Sequence, residues 1–262
     1  MTEPSRRIFA ASTRVLVVLP TFNEIDSLPR VLEHVIAAAP EAEVLVVDDA
    51  SPDGTGAWAA QRRHELPQLH VLHRERKLGL GSAYKAGFAW GLAHDFDALV
   101  EMDSDGSHPA AALPSLLGAL EGGADLVLGS RYVEGGSTPG WGRDRRLLSR
   151  TSNALARKLL ELPVRDATAG YRAYWAHTLR AIDVASVASD GYAFQVETLW
   201  RAVRAGLRIA EIPIEFRDRV CGTSKISRQE VCLAALTLLR LRRAAKRSSV
   251  VAPKPRPVEA QA

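Results

Sequence analysis

Four short apolar runs, rich in β-branched residues and closed by turn residues, punctuate the first half of the chain at 14–19, 44–47, 69–72 and 98–102. A half-exposed strand alternates apolar with polar positions, so unbroken runs of this length predict strands buried on both faces. Longer stretches at 27–39, 55–65, 81–93 and 109–121 follow them in turn and read as helices. The resulting βα alternation predicts an α/β fold: an open, doubly wound, mostly parallel sheet with a Rossmann-like half. Residues 1–13 are polar, and 248–262 carry three prolines with little to bury, so a flexible N-terminus and a disordered tail are expected. The remaining 14–247 has the size of a single domain.

Composition narrows the picture. Of 262 residues, 47% are apolar and 24% charged, as in soluble globular proteins. No run of 18 or more apolar residues occurs, so membrane association is expected to be peripheral or borrowed from a partner. Only a few apolar residues follow Arg6-Arg7, too few for a secretory leader. The two cysteines, Cys221 and Cys232, form no C-x-x-C pair and read as reduced thiols of a cytoplasmic chain. A formal charge of +4 is too small to imply nucleic-acid binding, and no nucleic-acid partner is expected. The charge is nonetheless clustered, at Arg143, Arg145, Arg146 and Arg150 and again at Arg240, Arg242, Arg243, Lys246 and Arg247. Two solvated faces are the plain reading of those clusters.

Ligands of a doubly wound sheet bind beyond the carboxyl ends of its strands. Those ends are acidic here: Pro20-Thr21-Phe22-Asn23-Glu24, Asp48-Asp49 and Asp103-Ser104-Asp105. Gathered carboxylates raise one another's pKa unless a cation or hydrogen-bond donors are supplied, which points to function. In extended geometry Asp103 and Asp105 face one way, and their hard oxygens suit Mg²⁺ or Mn²⁺. From spacing alone, a turn or cap leading into the helix after Pro109 is an equal reading. The same residues resemble the opening of haloacid-dehalogenase-type phosphatases, but that family begins its core at this motif and needs a later acidic pair that this chain lacks. Gly79-Leu80-Gly81 starts like G-x-G-x-x-G without the third glycine, so a dinucleotide fingerprint is poor. The glycines still allow close approach of a ligand, and Lys77 stands ready for a phosphate or a base–ribose edge. Asp53 fits an Asx turn, whereas Asp49 reads as an acceptor from a nucleobase or ribose hydroxyl.

Taken together, the acidic strand ends fall in the order and spacing of inverting GT-A glycosyltransferases. The match continues through Gly129-Ser130-Arg131-Tyr132, Ser149-Arg150, 166–172, 191–197 and 218–225. Over roughly 14–240 the chain resembles polyprenol-phosphate (dolichol-phosphate) mannose synthases. That resemblance implies a GT-A fold with a nucleotide-sugar half over 14–125 and an acceptor half over 126–247 ending in a basic helix. It implies nucleotide-sugar contacts at Pro20, Thr21, Glu24, Asp49, Lys77, Asp103 and Ser104, and a metal held by Asp103, Asp105 and Ser107. Some members carry Gln where Ser107 stands, and Ser104 and Cys221 are further departures.

The activity so implied is transfer of mannose from GDP-mannose to polyprenyl phosphate with inversion, with a UDP-sugar donor as the alternative. A lipid phosphate is already ionised near neutral pH, so no general base is required, and none of the triad kind is visible. Cationic side chains must capture that phosphate, and Arg131, Arg150, Arg219 and Lys225 are the candidates, with Asp105, Arg131 and Arg219 nearest the chemistry. Gly222 suits the loop around Arg219 and Lys225 to closure over the donor. The basic cluster 240–247 is expected to meet anionic headgroups on the cytoplasmic face of a membrane, with a membrane-anchoring partner protein as an equal route. A catalytically silent scaffold is the contrasting class, and intact acids at every strand end argue against it.

Overall fold

The four apolar runs are strands β1 (Val15–Thr21), β2 (Glu43–Asp48), β3 (Leu69–His73) and β4 (Ala98–Glu101). They belong to a computed structural model that describes residues 13–218 and 228–247. Helices α1 (Leu28–Ala38), α2 (Thr55–Arg62) and α3 (Leu80–Ala93) follow the first three strands. After β4 a 3₁₀ turn, Ala110–Ala112, leads into α4 (Leu113–Glu121). The second half adds β5 (Leu126–Ser130), α5 (Arg143–Leu160), β6 (Arg172–Trp175), α6 (Ala176–Ala181), α7 (Gly191–Arg204), β7 (Ile209–Pro213) and α8 (Arg228–Arg247). The strands form one sheet in the order β3-β2-β1-β4-β6-β5-β7. β6 runs antiparallel to both neighbours, and every other pairing is parallel.

β1, β2 and β4 are largely apolar because helices cover both faces, whereas β3, expected to be buried on both faces, is an edge strand that carries His70 and His73 and buries only Leu69. Leu16, Val18, Leu45 and Val47 pack with Tyr84 and Phe88 of α3 and Phe194 and Leu199 of α7. The alternate residues Val15, Val17, Leu19, Val44 and Val46 meet Leu28, Val31 and Leu32 of α1 and Leu113, Leu116 and Leu117 of α4. Each such side chain contributes roughly 1.5–3 kcal/mol by leaving water. α3 lies unusually close to the sheet. A methyl group at Gly87 would sit 2.4 Å from Val18 Cγ1, and one at Gly91 would sit 2.5 Å from Leu99 Cδ2.

The chain steps outward from β1 to β2 and β3, then returns to β4 on the other side of β1. That reversal opens a crevice between the ends of β1 and β4. In the antiparallel pairing, Arg172 at the start of β6 lies opposite Glu101 at the end of β4. The segment before β6 therefore arrives at the same rim. Among the described residues, no helix is long and apolar enough to cross a membrane.

Candidate active site

Two non-glycine residues, Asn23 (φ 60°) and Ala50 (φ 55°), adopt left-handed backbone just after β1 and β2, which turns both loops sharply at the rim. Donors within the chain supply what the acidic strand ends need. Asp48, buried at the end of β2, accepts from Thr21 Oγ1 (3.1 Å), Ser51 N (3.1 Å) and Ser51 Oγ (2.5 Å). Asp53 takes the expected Asx turn with Thr55 and also accepts from Ile25 N at 3.1 Å. Glu24 accepts from Ser27 Oγ (2.7 Å), and its backbone amide donates to Thr55 Oγ1 (3.0 Å). Asp49, expected to accept from a base or ribose, accepts from Leu78 N at 3.0 Å and pairs with Arg74 Nη1 at 3.0 Å. Arg74 in turn donates to Ser82 Oγ at 2.8 Å. Lys77 is exposed, with its Nζ 4.0 Å from the centre of the Phe22 ring.

Asp103 and Asp105 reach the crevice through a turn rather than along an extended strand, because β4 ends at Glu101 and Gly106 has φ 80°. Ser104 is buried and donates to Pro20 O at 2.6 Å, which ties this turn to the end of β1. Asp103 accepts from Tyr84 Oη at 2.9 Å. Asp105 accepts from Ser107 N at 2.9 Å, so the turn reading and the ligand reading fall on the same carboxylate. Asp105 and Ser107 are buried, and Asp103 is the more accessible acid of the pair, at 26% side-chain exposure.

Behind them lies His108, whose Nδ1 accepts from Asp103 N at 3.0 Å. Burial holds its pKa below the ordinary value against the pull of the Asp103 and Asp105 carboxylates, so the ring is neutral at pH 7. Burial, reinforced by Asp103 and Glu101, likewise keeps the Tyr84 hydroxyl protonated as a donor. Glu101 is fully buried, and burial pushes its carboxyl up to about 8 although Arg172 lies 3.7 Å away.

On the β5 side, Arg131 is no loose surface cation. Its Nε and Nη2 grip Asp166 at 2.7 and 2.8 Å, its amide donates to the same carboxylate at 3.0 Å, and Nη2 also donates to Thr168 Oγ1 at 2.8 Å. Burial opposes ionisation of Asp166, but Arg131 outweighs it and keeps that carboxyl below its usual 3.8. The rings of Tyr132, Trp141 and Phe216 surround the guanidinium at 5.3–5.7 Å. Arg150 is exposed, 5.9 Å from the Tyr132 ring, and Tyr132 Oη donates to Ser149 Oγ at 2.7 Å. Arg145, read from the sequence only as one of a solvated basic cluster, lies 4.1 Å over Trp141 and pairs with Asp218. Phe216 also lies 5.3 Å from His108, so the acidic turn and the arginine corner share a wall. Arg219 and Lys225, with Cys221 and Gly222, lie outside the described residues.

One expectation needs correction. The Gly79–Gly81 turn, read as leaving room for a ligand, is filled by the carboxylate of Asp190, which accepts from Gly81 N at 2.5 Å. Arg240, grouped with the headgroup-facing cations, stays half exposed and pairs with Glu197 (2.5 Å) and Ser189 Oγ (3.0 Å). The buried carboxylate of Glu197 holds the inner end of the Arg240 guanidinium, and Leu238 and Leu241 bury beside it.

Residues 16–182 match the profile described as glycosyl transferase family 2. The chain belongs to glycosyl transferase family 2. This glycosyltransferase is 54% identical over 214 residues to the undecaprenyl-phosphate mannosyltransferase of Micrococcus luteus, covering 82% of this chain and 88% of that one. It is 49% identical over 215 residues to the polyprenol monophosphomannose synthase of Mycolicibacterium smegmatis, covering 82% and 81%. Among solved structures, glucosyl-3-phosphoglycerate synthase of Mycobacterium tuberculosis, in complex with Mn²⁺, UDP and glucosyl-3-phosphoglycerate, superposes with a TM-score of 0.64 at 24% identity over 88% of this chain and 80% of that one. A mannosyltransferase of Pyrobaculum calidifontis in complex with GDP-mannose and Mn²⁺ gives 0.58 at 19% identity over 92% and 66%. These two likenesses establish the GT-A fold.

For a metal, the glycosyltransferase offers two carboxylates and a hydroxyl in one turn, Asp103, Asp105 and Ser107. Among the described residues, no group of three or more His, Cys, Asp or Glu side chains could hold one. The donor set fits a hard cation that takes the rest of its shell from water and substrate phosphate, as Mg²⁺ and Mn²⁺ do. Several site neighbours were given no role from the sequence: Arg74, Tyr84, His108, Asp190 and Asp166, the last quoted only as the start of the 166–172 motif. The cations after β3 and the histidine beside the acidic turn are local signals for Arg74 and His108. Asp190 has none, because its contact is 109 residues away.

Proposed function

We propose that this glycosyltransferase moves mannose from GDP-mannose to a polyprenyl monophosphate with inversion, giving a β-linked lipid-phosphate mannose. The observation that carries the reading is the shared wall at Phe216, which sets a turn suited to a metal-bound diphosphate beside an arginine corner suited to a second phosphate. The named activities of the Micrococcus and Mycolicibacterium relatives support mannose and polyprenyl phosphate, and the motif resemblance supports GDP-mannose.

In this reading Pro20, Thr21, Glu24, Asp49, Lys77, Asp103 and Ser104 surround the nucleotide sugar. Asp103, Asp105 and Ser107 would hold Mg²⁺ or Mn²⁺, whose charge offsets that of the departing nucleoside diphosphate. Arg131 and Arg150 receive the acceptor phosphate, with Arg219 and Lys225 assigned to the same task. Asp166 fixes Arg131 in one rotamer before substrate arrives, so little ordering remains at the moment of reaction. The attacking phosphate oxygen is already anionic above its second pKa near 6, so no side chain has to remove a proton. Positioning of that oxygen in line with the anomeric carbon supplies much of the rate.

The acceptor in this reading is a membrane lipid, reached by peripheral adhesion to the cytoplasmic leaflet, and the exposed faces of α5 and α8 support that reading. Leu147, Leu148 and Leu155 of α5 and Leu236 and Leu239 of α8 are exposed, and Arg143, Arg150, Arg242 and Arg243 stand among them. Leucines flanked by arginines suit an anionic bilayer, at about 1 kcal/mol per basic residue near its surface. A membrane-anchoring partner would add to this adhesion.

The direct test incubates the protein with labelled GDP-mannose, polyprenyl phosphate and Mn²⁺, beside UDP-glucose controls. Organic-soluble label from GDP-mannose alone is expected; label from the UDP-sugar alone, or from neither, overturns the reading. Asp105→Asn is expected to lower metal-dependent transfer by about 10²-fold or more with the fold intact, and a fully active variant removes Asp105 from the metal site.

A further inference from the structure

Asp190 stands at the N-terminus of α7, where its Oδ1 accepts from Gly191 N at 2.8 Å. The same oxygen accepts from Gly81 N in the first turn of α3 at 2.5 Å. One carboxylate thus caps two helices from opposite halves of the chain, where the positive ends of both helix dipoles favour it. The fit is close: a methyl group at Gly79 would lie 1.9 Å from Asp190 Oδ2, and one at Gly81 would lie 2.7 Å from Oδ1.

The segment that Asp190 caps is the loop that closes the donor side of the crevice. Between β3 and α3, Arg74 pairs with Asp49, Leu78 N donates to Asp49 Oδ2 at 3.0 Å, and Lys77 stacks on Phe22. That loop is fastened at one end by Asp49 and at the other by Asp190. The residue before Asp190, Ser189, donates to buried Glu197 and accepts from Arg240 of α8 at 3.0 Å. The support for the clamp therefore lies wholly in the second half of the chain.

We propose that Asp190 is a positioning residue for the nucleotide-sugar donor: it sets the β3–α3 loop, and with it Lys77 and Asp49, from across the crevice. The role rests on the assignment of this crevice end to the donor. Asp190 touches no reacting atom. Its removal frees the loop without disturbing the arginine corner, so it acts on donor binding and leaves acceptor binding alone.

The experiment compares wild type, Asp190→Asn and Asp190→Ala in two arms. In the ligand-free arm, hydrogen exchange at the amides of 78–83 is expected to speed up about tenfold in Asp190→Ala and less in Asp190→Asn, which keeps an acceptor oxygen. In the kinetic arm, KM for GDP-mannose is expected to rise about tenfold, while kcat and KM for polyprenyl phosphate stay within about threefold. Unchanged exchange overturns the clamp, and equal losses in both substrates overturn the donor role. Wild type inactive with GDP-mannose but carrying the exchange effect would sink the donor assignment and leave the clamp standing. Should Asp190→Ala fail to fold, Asp190→Asn alone carries both readouts.

Discussion

Arg131 and Asp166 are both buried, so each neutralises a charge that water cannot reach. Asp166→Asn keeps the shape and removes the countercharge, and it is expected to cost roughly 3 kcal/mol at pH 7. The native carboxyl titrates below its usual 3.8, so the stability it contributes is complete above that value and disappears as pH falls through the lower, folded-state value. Urea midpoints of wild type and variant should therefore stay a constant distance apart from pH 7 to pH 5 and converge only in stronger acid. Convergence already between pH 7 and 5 would mean that another group holds Arg131. Single residues were legible in the sequence where chemistry and position coincided, as for the acids at the strand ends. They were hidden where the partner is distant: nothing near Arg131 in the chain signals that Asp166, 35 residues on, takes up its guanidinium.

At the scale of elements, α3 shows how glycine sets a packing distance. Val18 and Leu99 occupy the space that a methyl group at Gly87 or Gly91 would need, and Val18 has little freedom to move aside. Gly87→Ala should gain helix propensity yet lose about 1–3 kcal/mol through overpacking, a net loss visible as a lower melting temperature. A neutral or stabilising outcome would show that α3 rides higher on the sheet. Strands β1 and β2 were legible because interior parallel strands are continuous in β-branched residues, and β3 and β4 because a short apolar run sits between turn residues. β6 was not, since its four residues begin with Arg172, a side chain that reads as surface but is fully buried. Its guanidinium finds the carbonyls of Ala167, Ala169 and Gln195, which are brought together only by the fold.

For the molecule as a whole, the leucine and arginine surface of α5 and α8 makes access to a lipid acceptor measurable. Leu147→Glu combined with Leu148→Glu should reduce co-sedimentation with anionic vesicles roughly tenfold or more, since each leucine gives up its burial in the bilayer. Activity on a short, water-soluble acceptor should stay near wild type, and unaltered vesicle binding would remove α5 from the contact. The clustering of arginines was plain from the sequence, but which of them find a carboxylate partner was not, because the Glu197 that pairs with Arg240 lies on a neighbouring helix. The reversed strand has a further consequence, for biosynthesis. Because β6 sits between β4 and β5, a nascent chain that has emerged only as far as Ser130 has neither edge of that gap filled. Both β4 and β5 then offer open hydrogen-bonding edges until residues 172–175 arrive to close them. The half-made protein is thus at its most prone to aggregation during the translation of the 41 residues 131–171, where slow decoding or a truncating lesion would do most harm.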